Sequence, residues 1–591
     1  MWCIKRHKIS ILLKTNLFCM IVMLAPVANA WTIKYSYNQQ NINNYVTVTG
    51  VKAYLKDIDP QTLDLSYWQS IFHPKAYLVN NKGHTDLVNP VPGYTNHIIY
   101  TPILIDRGTF WSLWYGGWDM NNELWGWPNR APADKLYSTV INDYTLTDWS
   151  IGTRYTNVLS GYYASPSIPA LYHTNDPTII RVNGNTWYIY FEMEIMVKLD
   201  GSNNLPDDPR NWTYAQPGEY GVPCHVIVRL TSTDGGWNYK NSVNEYGLAK
   251  KEDCVYINGL KGADYVYHQI AWPTVIKVAD NDYRMYFTAQ PDKNADMSTQ
   301  VAKQALSWEH WINGTRVDKA GPAKQHDWYG NLLYATSMDG INWTYQGEVR
   351  DEFNHTLWAW NPDVKKVPSR NQFVICYNGS HYEHGGCNQL PASEGGKWSI
   401  SMGYINQSDP LKVHWIEPGA YNWAHKLNVV FFPPIFNSDY GDVTPQWMTE
   451  ADGDIIGIAH GEWHNKVFDY GWLAAAFLQK QVRIVDSNNS IVADYQTSAN
   501  HDELRLSHSP LWHSESPWIT FDGNQYPHNS PVWGKVQVFD IDGSFLCETD
   551  YRWIYPGDVY IVEPLIADLN GDGRVDYQDL STMASNWLKG E

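Results

Sequence analysis

A motif that recurs five times constrains the fold of this chain more than any other sequence feature. Each copy has a residue followed by proline, then a mainly apolar strand, a turn, and a second strand rich in apolar or aromatic residues. The dipeptides lie about 75 to 95 residues apart and are Thr101-Pro102, Asp176-Pro177, Trp272-Pro273, Asn361-Pro362 and Thr444-Pro445. Five similar units predict one supersecondary structure stacked several times.

The second copy shows the pattern most clearly. Apolar side chains alternate before the turn, at Ile180 and Val182, and again in the aromatic strand that follows it. Alternation of this kind is typical of a half-buried β-hairpin. The turn dipeptide Asn183-Gly184 favours the positive φ angles of a tight hairpin turn. This copy is also the one in which an aspartate, Asp176, precedes the proline.

The repeats predict an all-β domain. They contain no helical periodicity, and radial repetition of four-stranded sheets is the architecture of a β-propeller. We therefore predict a five-bladed β-propeller over residues 98–485, with long loops because the spacing exceeds that of a compact blade. Each proline is expected at the first position of its strand, where no ladder hydrogen bond is lost. The alternative is an ordinary sandwich that contains five proline-led hairpins.

Smaller β units are predicted on both sides of the repeats. Residues 31–97 form an N-terminal β segment whose clearest strand is Tyr45 to Val48. Residues 486–562 form a small β module with strands at Val536–Phe539 and Phe545–Cys547 around a turn at Asp542-Gly543. This module is interpreted either as a sugar-binding accessory domain or as a spacer.

The first 30 residues have the features of a secretory signal peptide. Basic residues precede an apolar run from Leu17 to Ala28, and Ala28-Asn29-Ala30 is a small-x-small cleavage site. We therefore expect a secreted or cell-surface protein. Removal of the signal takes four positive charges from a net of −19 and leaves −23. Such a negative net charge argues against nucleic acid or an anionic membrane as a partner.

Five cysteines remain after that cleavage, and none of them forms a CxxC motif. In an oxidising compartment the pairs Cys224–Cys254 and Cys376–Cys387 are possible, although spacing does not prove either.

The last residues, 563–591, carry a calcium-binding pattern. Oxygen ligands stand at loop positions 1, 3, 5, 9 and 12, a glycine stands at position 6, and a backbone carbonyl is offered at position 7. The predicted ligands are Asp568, Asn570, Asp572, Arg574, Asp576 and Asp579. The loop and the helix predicted after it resemble one EF-hand-like repeat of a type I dockerin. That resemblance implies bound calcium and a cohesin-like or cell-surface partner, although dockerins usually carry two repeats.

The repeats themselves resemble the five-bladed propellers of glycoside hydrolase family 43 and its relatives. The resemblance rests on the segments Asn175–Thr178, Trp360–Val364 and Ser337–Trp343. It implies that Asp176 is the general base and that Asp363 tunes and orients the site. A glutamate from another blade would be the general acid, which protonates the leaving oxygen while the base activates water.

No repeat begins with the glutamate that the resemblance implies. The acid is therefore assigned to a glutamate that follows an aromatic or apolar strand, with Glu194 preferred and Glu462 as the next candidate. His460 is retained as a candidate substrate-binding residue, because some propeller glycosidases that act on marine galactans use histidine as the acid. Trp272 is predicted to form the floor of a sugar subsite, because the apolar faces of sugar rings stack on aromatic side chains.

Taken together, the sequence predicts a secreted glycoside hydrolase that cleaves O-glycosidic bonds of a plant or algal polysaccharide or oligosaccharide. The 30 Trp and 41 Tyr residues agree with an extensive sugar-binding surface. Two alternatives remain at this stage. One is a propeller that binds glycans without turnover, and the other is a polysaccharide lyase that uses a His/Tyr pair.

Overall fold

The structure is a computed structural model that describes a little over half of the chain. The described residues are 31–37, 46–57, 72–77, 97–119, 134–141, 173–198, 205–214, 222–239, 249–261, 263, 265–291, 330–354, 356–367, 370–381, 400–415, 429–430, 441–464, 470–492, 494–496, 502–507, 531–541, 543–555 and 557–564. The predicted signal peptide and all six predicted calcium ligands lie outside them.

The described residues form β-strands throughout. Those before residue 260 are β1 (Trp31–Tyr37), β2 (Val46–Thr49), β3 (Phe72–Tyr77), β4 (His97–Asp106), β5 (Trp111–Asp119), β6 (Asp134–Ile141), β7 (His173–Asn183), β8 (Thr186–Lys198), β9 (Thr213–Tyr214), β10 (Val222–Ser232) and β11 (Tyr256–Asn258). Those up to residue 416 are β12 (Tyr265–Ala279), β13 (Asp282–Pro291), β14 (Gly330–Ser337), β15 (Asn342–Glu348), β16 (Arg350–Asp351), β17 (Leu357–Lys366), β18 (Gln372–His381), β19 (Ile400–Asn406) and β20 (Lys412–Trp415). The remainder are β21 (Val429–Val430), β22 (Gly441–Glu450), β23 (Ile455–His464), β24 (Tyr470–Leu478), β25 (Gln481–Asp486), β26 (Asp494–Gln496), β27 (Glu503–Ser507), β28 (Val532–Phe539), β29 (Phe545–Glu548), β30 (Arg552–Ile554) and β31 (Asp558–Pro564).

Helical structure in these parts of the chain is limited to short 3-10 turns, at Leu55–Asp57, Pro209–Asn211 and Lys251–Asp253. None of the helices found there could span a membrane. The all-β class predicted from the repeats is therefore confirmed for the described residues.

Each repeat is built on a hairpin, as predicted. In the second copy β7 and β8 pair antiparallel around a turn whose Gly184 has a φ of 38°. In the third copy the segment Ser337–Trp343 makes the turn between β14 and β15. The predicted module strands are also present as β28 and β29, and β2 begins within one residue of its predicted start.

The position of the prolines differs from the prediction. In every repeat the proline lies inside the strand, where the register between the first and second strands shifts, as between Asn175/Thr178 in β7 and Val443/Gln446 in β22. A residue within a β-bulge needs no ladder hydrogen bond, so proline is tolerated there. The expectation that each proline begins a strand was therefore wrong.

The residue before each proline has a left-handed backbone. The φ angles are 50° at Thr101, 51° at Asp176, 52° at Trp272, 50° at Asn361 and 51° at Thr444. A residue before proline normally prefers extended backbone, and a side chain at positive φ is strained. Five nearly equal values at equivalent positions show that one local structure is repeated, including its strain.

The first strands of the repeats follow one another in a closed order. β4 contacts β7, β7 contacts β12, β12 contacts β17, β17 contacts β22, and β22 returns to β4. The last contact includes parallel pairing of Thr449 with Ile105. The outer strand of the last repeat, β3, comes from before the first repeat and pairs with β24. Closure of a sheet array by strands from both ends of the chain is typical of a propeller-like fold.

A layer of aromatic side chains lies opposite the bulges. The register places one residue of the second strand across each bulge, and four of these residues are the buried aromatics Tyr115, Phe191, Phe287 and Tyr377. The fifth is His460, which lies between the pairs Val443/Gly461 and Gln446/Ala459. Rings of this size bury much apolar area and stabilise the core of each repeat.

Strands from the two ends of the described chain share one sheet. β1 pairs antiparallel with β31, and β2 pairs parallel with β31 and antiparallel with β27. Gly50 follows β2 with a φ of 78° and has no room for a Cβ against the carbonyl group of Val562. The predicted N-terminal segment and the predicted C-terminal module therefore meet here, while the predicted domain boundaries stay predictions.

The first possible disulfide does not form. Cys224 and Cys254 are both buried thiols in the structure, and Cys254 contacts the hydroxyl of Tyr214 across 3.7 Å. Cys376 is likewise a buried thiol, and Cys387 lies outside the described residues.

Candidate functional site

The five residues that precede the prolines form the candidate site, here called the inner ring. All five are buried, with exposed fractions between 0% and 5%. The hydroxyl of Thr101 donates to Oδ1 of Asp176 at 2.7 Å, and the amide of Thr101 donates to Oγ1 of Thr444 at 2.8 Å. Because these bonds join the fifth, first and second repeats in order, the bulges bring residues distant in sequence to one place.

Asp176 is the one carboxylate of the inner ring. Its side chain is 3% exposed and its backbone is held in the left-handed region. Burial disfavours a carboxylate unless hydrogen bonds compensate, and the Thr101 hydroxyl supplies one. A strained, buried and charged residue is a typical feature of a functional position.

Asp363 lies on β17, two residues after Asn361, the left-handed residue of its repeat. Its Oδ1 accepts hydrogen bonds from the Thr274 hydroxyl at 3.1 Å and from Nζ of Lys365 at 2.6 Å, and its Oδ2 accepts one from the backbone amide of Trp447 at 2.8 Å. The side chain is fully buried. These contacts tie β12, β17 and β22 together, so the geometry favours a positioning role for Asp363 over contact with a substrate.

A buried Glu192–His225 pair lies on β8 and β10, in the sheet that also contains β7 and Asp176. Glu192 stands opposite Asn175, the neighbour of Asp176, across the β7–β8 ladder. Oε1 of Glu192 contacts Nδ1 of His225 on β10, and both side chains are buried. His225 was not predicted from the sequence as a site residue. The signal was present, because an imidazole in the apolar run Cys224–Val228 must find a polar partner.

The two glutamates chosen as candidate acids lie on different strands. Glu194 pairs with His173 on one side and with His225 on the other, so it belongs to the same sheet as Asp176. Glu462 pairs with Asp442 and Trp472 in the sheet of the last repeat. The side chains of both glutamates lie outside the described part of the structure, so their roles stay predictions.

His460 occupies the aromatic layer and is fully buried. Its Nδ1 contacts the carbonyl oxygen of Gly461 at 3.3 Å. Burial lowers the pKa of His460 from 6.5 to about 4, so the imidazole is neutral at pH 7. Its equivalence to four core aromatics favours a packing role, and its predicted contact with substrate stays a prediction.

Trp272 belongs to the inner ring through its place before Pro273, and its side chain is only 4% exposed. Its strand, β12, contacts β7, the strand that carries Asp176. Its predicted role as the floor of a sugar subsite is untested.

One acidic group among the described residues has a spacing that suits a metal ion, namely Glu450, Asp452 and Asp454. Lysines already neutralise two of its members, since Lys52 pairs with Glu450 and Lys56 pairs with Asp454. These ion pairs attach the 3-10 turn at Leu55–Asp57 to the last repeat. The group is therefore explained as part of that contact.

Comparison with known proteins gives structural matches of low similarity. No protein-family model and no curated protein matches the chain. Solved structures that resemble it include a glycosyl hydrolase from Bacteroides ovatus (12% identity, TM-score 0.34, 68% of this chain and 94% of the other). The catalytic domain of a Coprinopsis cinerea GH62 α-L-arabinofuranosidase gives 8% identity and a TM-score of 0.35 over 69% and 97% of the two chains. A thermostable family-43 glycoside hydrolase gives 10% identity and 0.31 over 66% and 92%. TM-scores this low do not establish a shared family.

Proposed function

We propose that the chain is a secreted glycoside hydrolase built on a five-bladed β-propeller, with Asp176 at the centre of its active site. The observation that carries the proposal is the asymmetry of the inner ring. Five equivalent residues share a strained left-handed backbone, and Asp176 alone among them is a carboxylate. Backbone strain at all five positions, with a carboxylate at only one of them, is expected of a functional site that the inner ring holds in place.

Asp176 is proposed as the general base. As base it takes a proton from water while the water oxygen bonds to the anomeric carbon and the glycosidic C–O bond breaks. A protonated carboxylic acid then gives its proton to the leaving oxygen, and the product has inverted configuration. The Thr101 hydroxyl fixes the orientation of Asp176 for this step.

Two glutamates on β8 are proposed as sources of the acid. Glu194 is the residue favoured by the sequence, and Glu192 is added because it stands opposite Asn175 and contacts His225. Both belong to the sheet that carries Asp176, and a general acid must hold a proton that it can give to the leaving oxygen. The substrate class is proposed to be a plant or algal polysaccharide or oligosaccharide.

Release of reducing ends from arabinans, xylans and galactans tests the proposal. The native protein is expected to be active on at least one of these, and Asp176→Asn is expected to lose at least about a thousandfold in kcat, within the range that a general base and its preorganised site supply. The matched control is Asp280→Asn, which makes the same carboxylate-to-amide change at an exposed residue outside the inner ring and is expected to leave kcat unchanged.

Three results would reject the proposal. Full activity of folded Asp176→Asn would show that Asp176 is not the base. Formation of an unsaturated, ultraviolet-absorbing product would identify a lyase. Binding without any turnover across the panel would identify a glycan-binding propeller. Circular dichroism of each variant checks that the fold is retained.

A further inference from the structure

The outer face of the C-terminal β module carries exposed aromatic side chains. Residues of β28 alternate between buried and exposed positions. Trp533 is 45% exposed, and Trp553 of the neighbouring β30 is 50% exposed. The two residues pair directly across the strands, with ring centroids 5.6 Å apart. Large exposed apolar side chains that are grouped in this way mark interaction sites.

The same face continues along β28 and ends in a second aromatic pair. Phe539 of β28 packs against Phe545 of β29 with centroids 5.7 Å apart, and Phe545 is 42% exposed. Trp533 and Phe539 are six residues apart on one strand, which corresponds to roughly 20 Å. The face is therefore a strip with rings at both ends, and it is called the aromatic strip below.

Polar groups fill the middle of the aromatic strip. Glu548 accepts hydrogen bonds from Nε2 of Gln537 and pairs with Nζ of Lys535, both at 2.8 Å. Arg483 lies over the ring of Phe539, with 4.7 Å from its guanidinium carbon to the ring centroid. Because Lys535 and Glu548 neutralise each other, the strip has little net charge and many hydrogen-bonding groups.

This composition identifies the kind of ligand that fits. Nucleic acid requires a strongly basic surface, whereas the described residues of the strip offer two cations, one of which is paired with Glu548, in a chain of net charge −19. A tightly bound protein partner favours an apolar centre with a polar rim, whereas here the centre is polar and the ends are apolar. Sugar rings present apolar faces to aromatic side chains and hydroxyls to polar ones.

We propose that the aromatic strip is a binding surface for an uncharged polysaccharide chain, separate from the inner ring. Successive sugar units lie along β28, with Trp533 and Trp553 stacking at one end and Phe539 and Phe545 at the other. Gln537, Lys535 and Glu548 meet the hydroxyls between them. The surface would hold the protein on a polymer whether or not the inner ring is catalytic.

Affinity electrophoresis of the full-length mature protein tests this. The probes are soluble xylan, arabinan, galactan and mixed-linkage glucan, with the charged polymer pectate for comparison and pull-down on cellulose and agarose for insoluble polymers. Retardation is expected with at least one uncharged polymer, and the double variant Trp533→Ala/Trp553→Ala is expected to raise the Kd at least tenfold. Phe353→Ala is the matched control, since Phe353 is 42% exposed but lies in the fourth repeat.

A second double variant separates loss of binding from loss of folding. Trp533→Phe/Trp553→Phe keeps a ring at both positions and is expected to recover most of the binding. Equal retardation of the native protein and the alanine variant would overturn the proposal, as would retardation by pectate alone. A change in sedimentation coefficient with the alanine variant, without any polymer binding, would show that the strip joins two copies of the chain instead. Reducing-end release from short oligosaccharides stays at the native level in both double variants, which distinguishes this result from failure of the proposed hydrolase.

Discussion

The hydroxyl of Thr101 donates a hydrogen bond of 2.7 Å to the carboxylate of Asp176, although 75 residues separate the two. The bond joins the first and second repeats at their bulges, and both residues have left-handed backbone. Each of them also stands directly before a proline. The bond therefore joins two structurally equivalent positions of neighbouring repeats, one of which carries the single carboxylate among the five equivalent residues.

The first prediction concerns that bond. Thr101→Val keeps the shape of the side chain but leaves the buried Asp176 carboxylate without its hydroxyl donor. We expect a loss of about 1–3 kcal/mol in the free energy of unfolding, measured by urea denaturation, because a buried hydrogen bond to a carboxylate is removed. Thr101→Ser retains the donor and is the control. Equal stability of the valine and serine variants would show that the bond contributes nothing.

The second prediction concerns Asp363, which joins three first strands. Asp363→Ala removes acceptors for Thr274 and Trp447 and leaves Lys365 without its carboxylate partner. Breaking a buried ion pair in this way costs about 3–5 kcal/mol. The control is Asp280→Asn, which breaks the exposed pair with Lys277 and is expected to leave the thermal midpoint almost unchanged. A small effect at Asp363 would contradict its role in fixing the inner ring.

The sequence was sufficient to predict the structural features that depend on a local pattern of residues. Alternating apolar residues and Asn183-Gly184 specify a hairpin, and five such copies specify a repeated all-β unit. The bulges were missed because proline disfavours a central strand position, and only the ladder register shows that the strand continues through it. A propensity rule about where strands begin cannot detect that continuation.

The site could be predicted only in part, for a related reason. Asp176 is the one carboxylate among the five residues that precede the repeated prolines, so the sequence alone identifies it as a candidate site residue. The partners of Asp176 and Asp363 come from other repeats, and nothing in the local sequence specifies which hydroxyl or amide will face them. His225 lies 33 residues from Glu192. The two residues meet because the register of β8 and β10 makes them diagonal neighbours.

The third prediction is a pH dependence that His460 introduces. Burial lowers its pKa to about 4 in the folded protein, whereas an unfolded histidine titrates near 6.5. Between these values the unfolded state binds the additional proton, so the stability present above pH 6.5 is lost as the pH falls toward 4. The loss at the lower limit is on the order of 3 kcal/mol.

Replacement of His460 by phenylalanine restores the residue type found at the equivalent positions in β8 and β13. His460→Phe is therefore expected to flatten the stability profile between pH 4 and 6.5 in thermal melts, while activity at pH 7 is retained. His460→Gln is the comparison, since it removes the titrating group without restoring an aromatic ring. Loss of activity in folded His460→Phe would support the alternative role of His460 in the reaction.

The fourth prediction compares two glycines at positive φ. A Cβ at Gly50 would overlap the carbonyl group of Val562, whereas a Cβ at Gly108 would meet nothing within 4 Å. Gly108→Ala therefore carries only the left-handed backbone cost of about 1–2 kcal/mol. Gly50→Ala is expected to cost more than about 4 kcal/mol, because it separates β2 from β31 as well. Similar denaturation midpoints for the two variants would contradict the close approach of β2 to β31.

The fifth prediction concerns calcium and uses the full-length protein. Isothermal titration is expected to show one calcium site that is lost in Asp572→Ala/Asp576→Ala, because the loop requires carboxylate oxygens at positions 5 and 9. The control is Asp452→Ala, in the acidic group whose other members already pair with Lys52 and Lys56. Calcium should bind this variant as tightly as it binds the native protein. Loss of binding in Asp452→Ala, with the double variant unaffected, would place the ion on the last repeat and contradict the assignment of the C-terminal loop.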